Sequence, residues 1–111
     1  MKTKVAILGS GNIGTDLMIK VLRTSQTLEV GALVGIDPAS DGLARARRMG
    51  VPTLTGGIDD FMQWPGVEDI RIIFDATSAK AHARHSQIAR IHGIQMVDLT
   101  PRRQGHTLCP S

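Results

Sequence analysis

Val5-Ala6-Ile7-Leu8-Gly9-Ser10-Gly11-Asn12-Ile13-Gly14 is the stretch that decides how this chain folds. Four apolar residues in a row, stopped by a glycine, make the pattern of a short strand buried on both faces. The next six residues have the spacing G-x-G-x-x-G. From there the period changes. Ile13, Leu17, Met18, Val21 and Leu22 recur at steps of three and four, the apolar stripe of a helix over 12–23. The stretch is therefore a strand, a glycine turn and a helix. Gly9 permits the tight turn. Gly11 keeps side-chain atoms away from the space before the helix, and Gly14 lets the helix lie against the strand. The unpaired N–H groups of the first helical turn, reinforced by the helix dipole, then form an anion site. Ser10, Asn12 and Ile13 complete the loop that would hold a pyrophosphate.

Working outward, apolar runs keep alternating with helical stretches. A second strand over 28–36 ends at Asp37-Pro38, where proline forces the preceding residue to be extended. A helix over 41–49 follows, with Ser40 or Asp41 as N-cap and Gly50 as its stop. Residues 51–54 read as a short strand, 59–63 as one helical turn, and 70–74 as a strongly apolar strand ended by Asp75. Ser78 caps a third long helix that runs to residue 92 and closes at Gly93. Residues 94–99 form the last strand. Strands alternating with helices imply parallel pairing and right-handed crossovers, so the expected class is α/β, a Rossmann-like doubly wound parallel sheet. Ligands of such sheets sit at the carboxyl ends of the strands. Asp37 stands about 20 residues beyond the glycine loop, at the position where a carboxylate accepts ribose hydroxyls and repels a 2′-phosphate. The expected cofactor is NAD rather than NADP. Ala76, Thr77 and Ser78 follow the fourth strand on the same edge. They are expected to meet the ribose or nicotinamide half, with capping as the competing role for Ser78 and an Asp-Pro turn as that for Asp37.

Composition narrows the function further. The chain has 111 residues, 41% hydrophobic and 21% charged, which suits a single soluble domain and excludes a disordered tail. No apolar run reaches the ~18 residues of a membrane span, and the N-terminus lacks the pattern of a signal peptide. One cysteine precludes a disulfide framework within the chain, and a reducing, cytoplasmic setting is expected. The net charge of +3 invites a nucleic-acid reading, but two of the thirteen basic residues, Arg102 and Arg103, lie in the C-terminal tail. With two phenylalanines, one tryptophan and no tyrosine there is almost nothing for bases to stack on, so no nucleic-acid partner is expected.

Other residues look chemical without forming a site. His82 and His85 are three apart and share a helix face; with no third ligand at a matching position, a solvated or subunit-contact face is expected there rather than a metal. Asp59 and Asp60 are adjacent and diverge. Cys109 has His106 near it in sequence but no element to hold it, so no catalytic residue is assigned within the chain.

Longer strings carry a resemblance. Residues 4–23 (KVAILGSGNIGTDLMIKVLR), 35–46 (GIDPASDGLARA), 74–79 (FDATSA) and 98–101 (DLTP) closely resemble the N-terminal half of acylating acetaldehyde dehydrogenases, over residues 3–101. The resemblance implies a function. Such enzymes oxidise acetaldehyde to acetyl-CoA: a cysteine attacks the aldehyde, hydride leaves to NAD, and the thioester passes to coenzyme A. It also implies a place at the end of aromatic meta-cleavage pathways and a 4-hydroxy-2-oxovalerate aldolase as partner. The family's NAD-binding segment maps onto Ser10, Gly11, Asn12 and Ile13. The family is much longer, with a second domain that carries the nucleophile. Residues 1–101 are thus expected to be an NAD-binding domain, incomplete relative to the full enzyme and inactive alone.

Residues 102–111 depart from the family pattern. Back-translated from Thr100 and read one base earlier, they yield PAAARAYAVPV, whose Tyr and Val-Pro-Val fall where the family has them, so a frameshifted tail is expected. The competing reading is a stand-alone NAD-binding or regulatory module without catalysis. A third is another NAD-dependent dehydrogenase acting on acids or semialdehydes.

Overall fold

The glycine turn and the strands around it occupy the centre of a five-stranded sheet in a computed structural model that describes residues 2–99. In chain order the elements are β1 Thr3–Leu8, α1 Asn12–Thr24, β2 Leu28–Val34, α2 Asp41–Arg48, β3 Thr53–Leu54, α3 Gly57–Gln63, a 3-10 turn Pro65–Asp69, β4 Ile70–Asp75, α4 Ala79–Ile91 and β5 Gln95–Asp98. The strand order is β3-β2-β1-β4-β5, and every pairing is parallel. This is the doubly wound arrangement. The chain runs outward from β1 through β2 and β3, then returns to the other side of β1 as β4. The order reverses beside β1, so the carboxyl ends of β1 and β4 flank the crevice where such sheets bind ligands.

Alternation along the central strands feeds two cores. Ile7 joins Leu33, Val30, Met18, Val21, Leu43 and Ala46 on the face covered by α1 and α2. Ala6 and Leu8 face the other way, into Ala32, Val34, Ile73, Phe61 and Ala89 under α3 and α4. With a helical layer on each face, the strands read as continuous apolar runs rather than as alternating ones.

Several boundaries differ from those expected. β2 ends at Val34 rather than Ile36, because its neighbour β3 stops at Leu54 and offers no ladder beyond; Ile36 is left 81% exposed. β3 is two residues rather than four. Pro52 has no N–H to give, although its carbonyl still accepts from Leu33 at 3.0 Å. The helix expected at 59–63 starts at Gly57, and the 3-10 turn behind it, opened by Pro65, was not anticipated. Of the two candidate caps for α2, Ser40 takes the position, accepting from Leu43 N–H at 3.4 Å. The tail over 102–111 and Cys109 lie outside the described residues.

Candidate functional site

The glycine loop is built by close approach. Gly9 sits at φ 109°, a region that side chains rarely adopt, and a Cβ there would lie 2.9 Å from the Ala76 carbonyl. Its N–H donates to Val34 O at 2.7 Å, which ties the turn to β2. At Gly14 a Cβ would stand 2.0 Å from Gly9 O, so the first turn of α1 can lie against the loop only because that atom is missing. Gly11 faces open space, with nothing within 4 Å of where its Cβ would be. It is also the N-cap of α1 and supplies no side-chain cap, and no acidic residue occupies the first turn. The helix thus presents its unpaired N–H groups and its positive dipole end to the cleft, which suits an anion. Asn12 and Ile13 are exposed at that end. Ser10 is tied sideways: its Oγ accepts from the Ser40 hydroxyl at 2.8 Å and its carbonyl from Thr15 Oγ1 at 3.2 Å. One serine pair therefore fixes the loop against the cap of α2.

Asp37 follows the end of β2 and is exposed. Its Oδ1 accepts from Ala39 N–H at 2.9 Å, the Asx turn that Asp-Pro sequences favour. Its Oδ2 has no partner among the described residues, so an acceptor remains for a hydroxyl donor. On the other side of the crevice, Ala76 N–H donates to Leu8 O at 2.8 Å and holds the turn after β4 beside the glycine loop. Ser78 accepts from Ala81 N–H at 3.1 Å and caps α4. Thr77 turns its hydroxyl and its N–H inward to Asp75 Oδ1, the N–H at 3.0 Å. The turn therefore meets the cleft through its backbone, and its hydroxyls serve the fold.

A cleft of about 370 Å³ lies between these parts, lined by Gly9, Ser10, Gly11, Ile36, Ala76 and Thr77 among others. Of the expected residues, the structure brings Gly9, Ser10, Gly11, Ala76 and Thr77 together here; Ile36 was not among them. Asn12, Ile13, Gly14, Asp37 and Ser78 stand around the cleft without lining it. A larger open groove of about 1130 Å³ lies at the opposite end of the sheet, between the start of β1 and the loop after α4, away from the carboxyl edge.

Sequence reasoning missed a buried cluster next to the cleft. Asp75 closes β4 and is fully buried. Its Oδ2 accepts from His82 Nδ1 and from His85 Nδ1, each at 2.9 Å. These two histidines were expected on a solvated or subunit-contact face. Instead α4 lays that face on the sheet, leaving their side chains only 20% and 12% exposed. Burial pushes the Asp75 carboxyl up. The hydrogen bonds from His85, from the Thr77 hydroxyl and N–H, and from His82 outweigh burial and hold it well below the usual carboxylate range. Spacing alone offered a clue: the shared face of His82 and His85 was legible, and a carboxylate ended the strand before their helix.

Comparison with known proteins gives this geometry a family. A family profile described as semialdehyde dehydrogenase, NAD binding domain, matches residues 4–104. The chain is 63% identical to acetaldehyde dehydrogenase 4 of Burkholderia lata, over 98% of this chain and 35% of that protein. It is 64% identical to acetaldehyde dehydrogenase 2 of Pseudomonas putida, over 96% of this chain and 34% of that one. The chain thus spans about a third of the length of the curated relatives it matches. Among solved structures it is similar in fold to scyllo-inositol dehydrogenase from Lactobacillus casei with bound NAD(H) and scyllo-inositol. The TM-score there is 0.75 at 21% identity, covering 88% of this chain and 28% of that one. The strand–glycine loop–helix unit at the centre of the sheet accordingly has a family: the chain belongs to the NAD-binding domains of the semialdehyde dehydrogenases.

Proposed function

We propose that this chain is the NAD-binding portion of an acylating acetaldehyde dehydrogenase. The observation that carries the reading is the α1 terminus: an uncapped helix start, with Gly11 facing open space and Gly14 pressed on Gly9, at the carboxyl edge of a parallel sheet. These residues fit a dinucleotide. With Gly9 making the turn, the N–H groups of Ser10, Gly11, Asn12, Ile13 and Gly14 would hold the pyrophosphate, and Asp37 Oδ2 the adenosine ribose. Ala76 and Thr77 would contribute backbone on the nicotinamide side, and Ser78 the cap that aims α4. NAD, when bound, supplies the hydride acceptor. The kind of aldehyde comes from the names of relatives about 60% identical to this chain.

Coenzyme A as co-substrate, an aldolase as partner, a role in aromatic catabolism and a cytoplasmic setting belong to the same proposal. So does the division at residue 101 with a shifted reading frame behind it, which the nucleotide sequence from the Thr100 codon onward tests. The 111 residues alone are not expected to oxidise aldehyde. Their one cysteine, Cys109, is not assigned as a nucleophile. Incubation of the pure chain with acetaldehyde, coenzyme A and NAD, followed at the absorbance of NADH, checks this. No NADH is expected, and sustained production would overturn it.

A further inference from the structure

One oxygen of Asp75 receives two imidazoles. His82 Nδ1 and His85 Nδ1 both lie 2.9 Å from Oδ2, while Oδ1 is occupied by Thr77. An ionised carboxylate can only accept, so each Nδ1 carries a proton. In a neutral imidazole that leaves Nε2 as an acceptor. The bonds the two rings make to Asp75 are the same, but their surroundings differ. His82 sits with its Nε2 3.7 Å from Asp98 Oδ2, at the β5 side of the sheet. His85 lines the 370 Å³ cleft together with Gly9, Gly11, Ile36, Ala76 and Thr77.

Holding an imidazole by its Nδ1–H fixes both its tautomer and its orientation, and it makes Nε2 a better base. A buried carboxylate has about four lone-pair sites to fill. Asp75 fills them with Thr77 twice, His82 once and, as the fourth, the ring that lines the cleft, so that ring is held in one orientation.

We propose that His85 is a cofactor-contacting residue. Its Nε2 accepts a hydrogen bond from a donor of the bound dinucleotide, a ribose hydroxyl or an amide or amino N–H. Asp75 is the positioning residue that sets the ring. The assignment rests on the NAD reading above and deepens it, because it adds an imidazole on the β4 side of a cleft lined otherwise by apolar residues, glycines and the hydroxyl residues Ser10 and Thr77.

The comparison of the two histidines tests it. Asparagine places Nδ2 where histidine has Nδ1, so His85→Asn and His82→Asn both keep a donor for Asp75 and remove the far edge of the ring, Cε1 and Nε2. Calorimetric titration of the 111-residue chain with NAD should give a Kd raised about tenfold or more in His85→Asn, the loss of one hydrogen bond to an oriented acceptor. His82→Asn should stay close to the unsubstituted chain, with similar melting temperatures for both variants. Titrations with ADP-ribose and AMP locate the donor. A loss confined to NAD places it on the carboxamide, a loss shared with ADP-ribose on the ribose next to it, and a loss shared with AMP on the adenosine half.

Equal effects of the two substitutions would mean that the cluster is only structural, and would overturn the assignment. Failure of the unsubstituted chain to bind NAD is a different result, which overturns the NAD reading itself and this assignment with it. Should His85→Asn not fold, imidazole ¹⁵N spectra of the unsubstituted chain decide. The His85 Nε2 resonance should move on adding NAD while that of His82 stays; a His85 resonance that does not respond would refute the proposal.

Discussion

Two side chains, Asp37 and Asp75, and the one missing at Gly14 carry much of the site. A methyl at position 14 would stand 2.0 Å from a backbone carbonyl, and backbone cannot yield as a side-chain tip can. Gly14→Ala should therefore cost about 3 kcal/mol, the upper range for overpacking, measured by urea unfolding. Asp37 uses one oxygen for its turn and leaves the other open. Asp37→Asn keeps an acceptor for Ala39 N–H and replaces the open acceptor with a donor. NAD affinity should fall about tenfold, and the preference for NAD over NADP should shrink, which paired titrations check. Asp75 couples the site to pH. Its folded pKa is depressed, so the unfolded chain takes up the proton first on acidification. The stabilisation is complete above the ordinary carboxylate value of about 4 and is lost as pH falls below it toward the lowered folded value. Asp75→Asn should cost about 3 kcal/mol at neutral pH, and the gap to the unsubstituted chain should narrow by about pH 3. Urea curves at both pH values measure this, and a gap of equal size at both would contradict the account.

Among the elements, α1 and α4 have different origins, and this explains what could be read in advance. The α1 end is a local device: Gly9, Gly11 and Gly14 have their meaning from the strand before them and the helix after them, so the sequence showed the loop and the helix start that it opens. Ser78 is equally local. Its bond to Ala81 N–H is an N-cap, and Ser78→Ala should cost about 1 kcal/mol while leaving NAD affinity within about twofold, since the hydroxyl does not line the cleft. Differential scanning calorimetry and titration of the same variant separate the two effects. The Asp75 cluster was not legible because it exists only when α4 docks on the sheet. Sequence placed His82 and His85 on one face but could not say which way that face points. The length of β3 failed for a similar reason. Pro52 reads as tolerable in a short run, and only pairing with β2 shows that its missing N–H ends the ladder.

At the scale of the molecule, the order β3-β2-β1-β4-β5 follows from the alternation of elements and the handedness of their connections. It puts the glycine loop, Asp37 and the turn after β4 on one edge, even though they are dispersed along the chain. The family assignment rests on a profile covering residues 4–104, and the solved structures share the fold at low identity. The relatives named as acetaldehyde dehydrogenases are about three times as long as this chain, whereas we propose that the residues described suffice to bind the dinucleotide. The most direct test of that claim is calorimetric titration of the folded 111-residue chain with NAD, with circular dichroism as the check of folding. The account predicts saturable binding of one NAD per chain, weaker for NADP. A folded chain that gives no binding heat and no thermal stabilisation by NAD would contradict it.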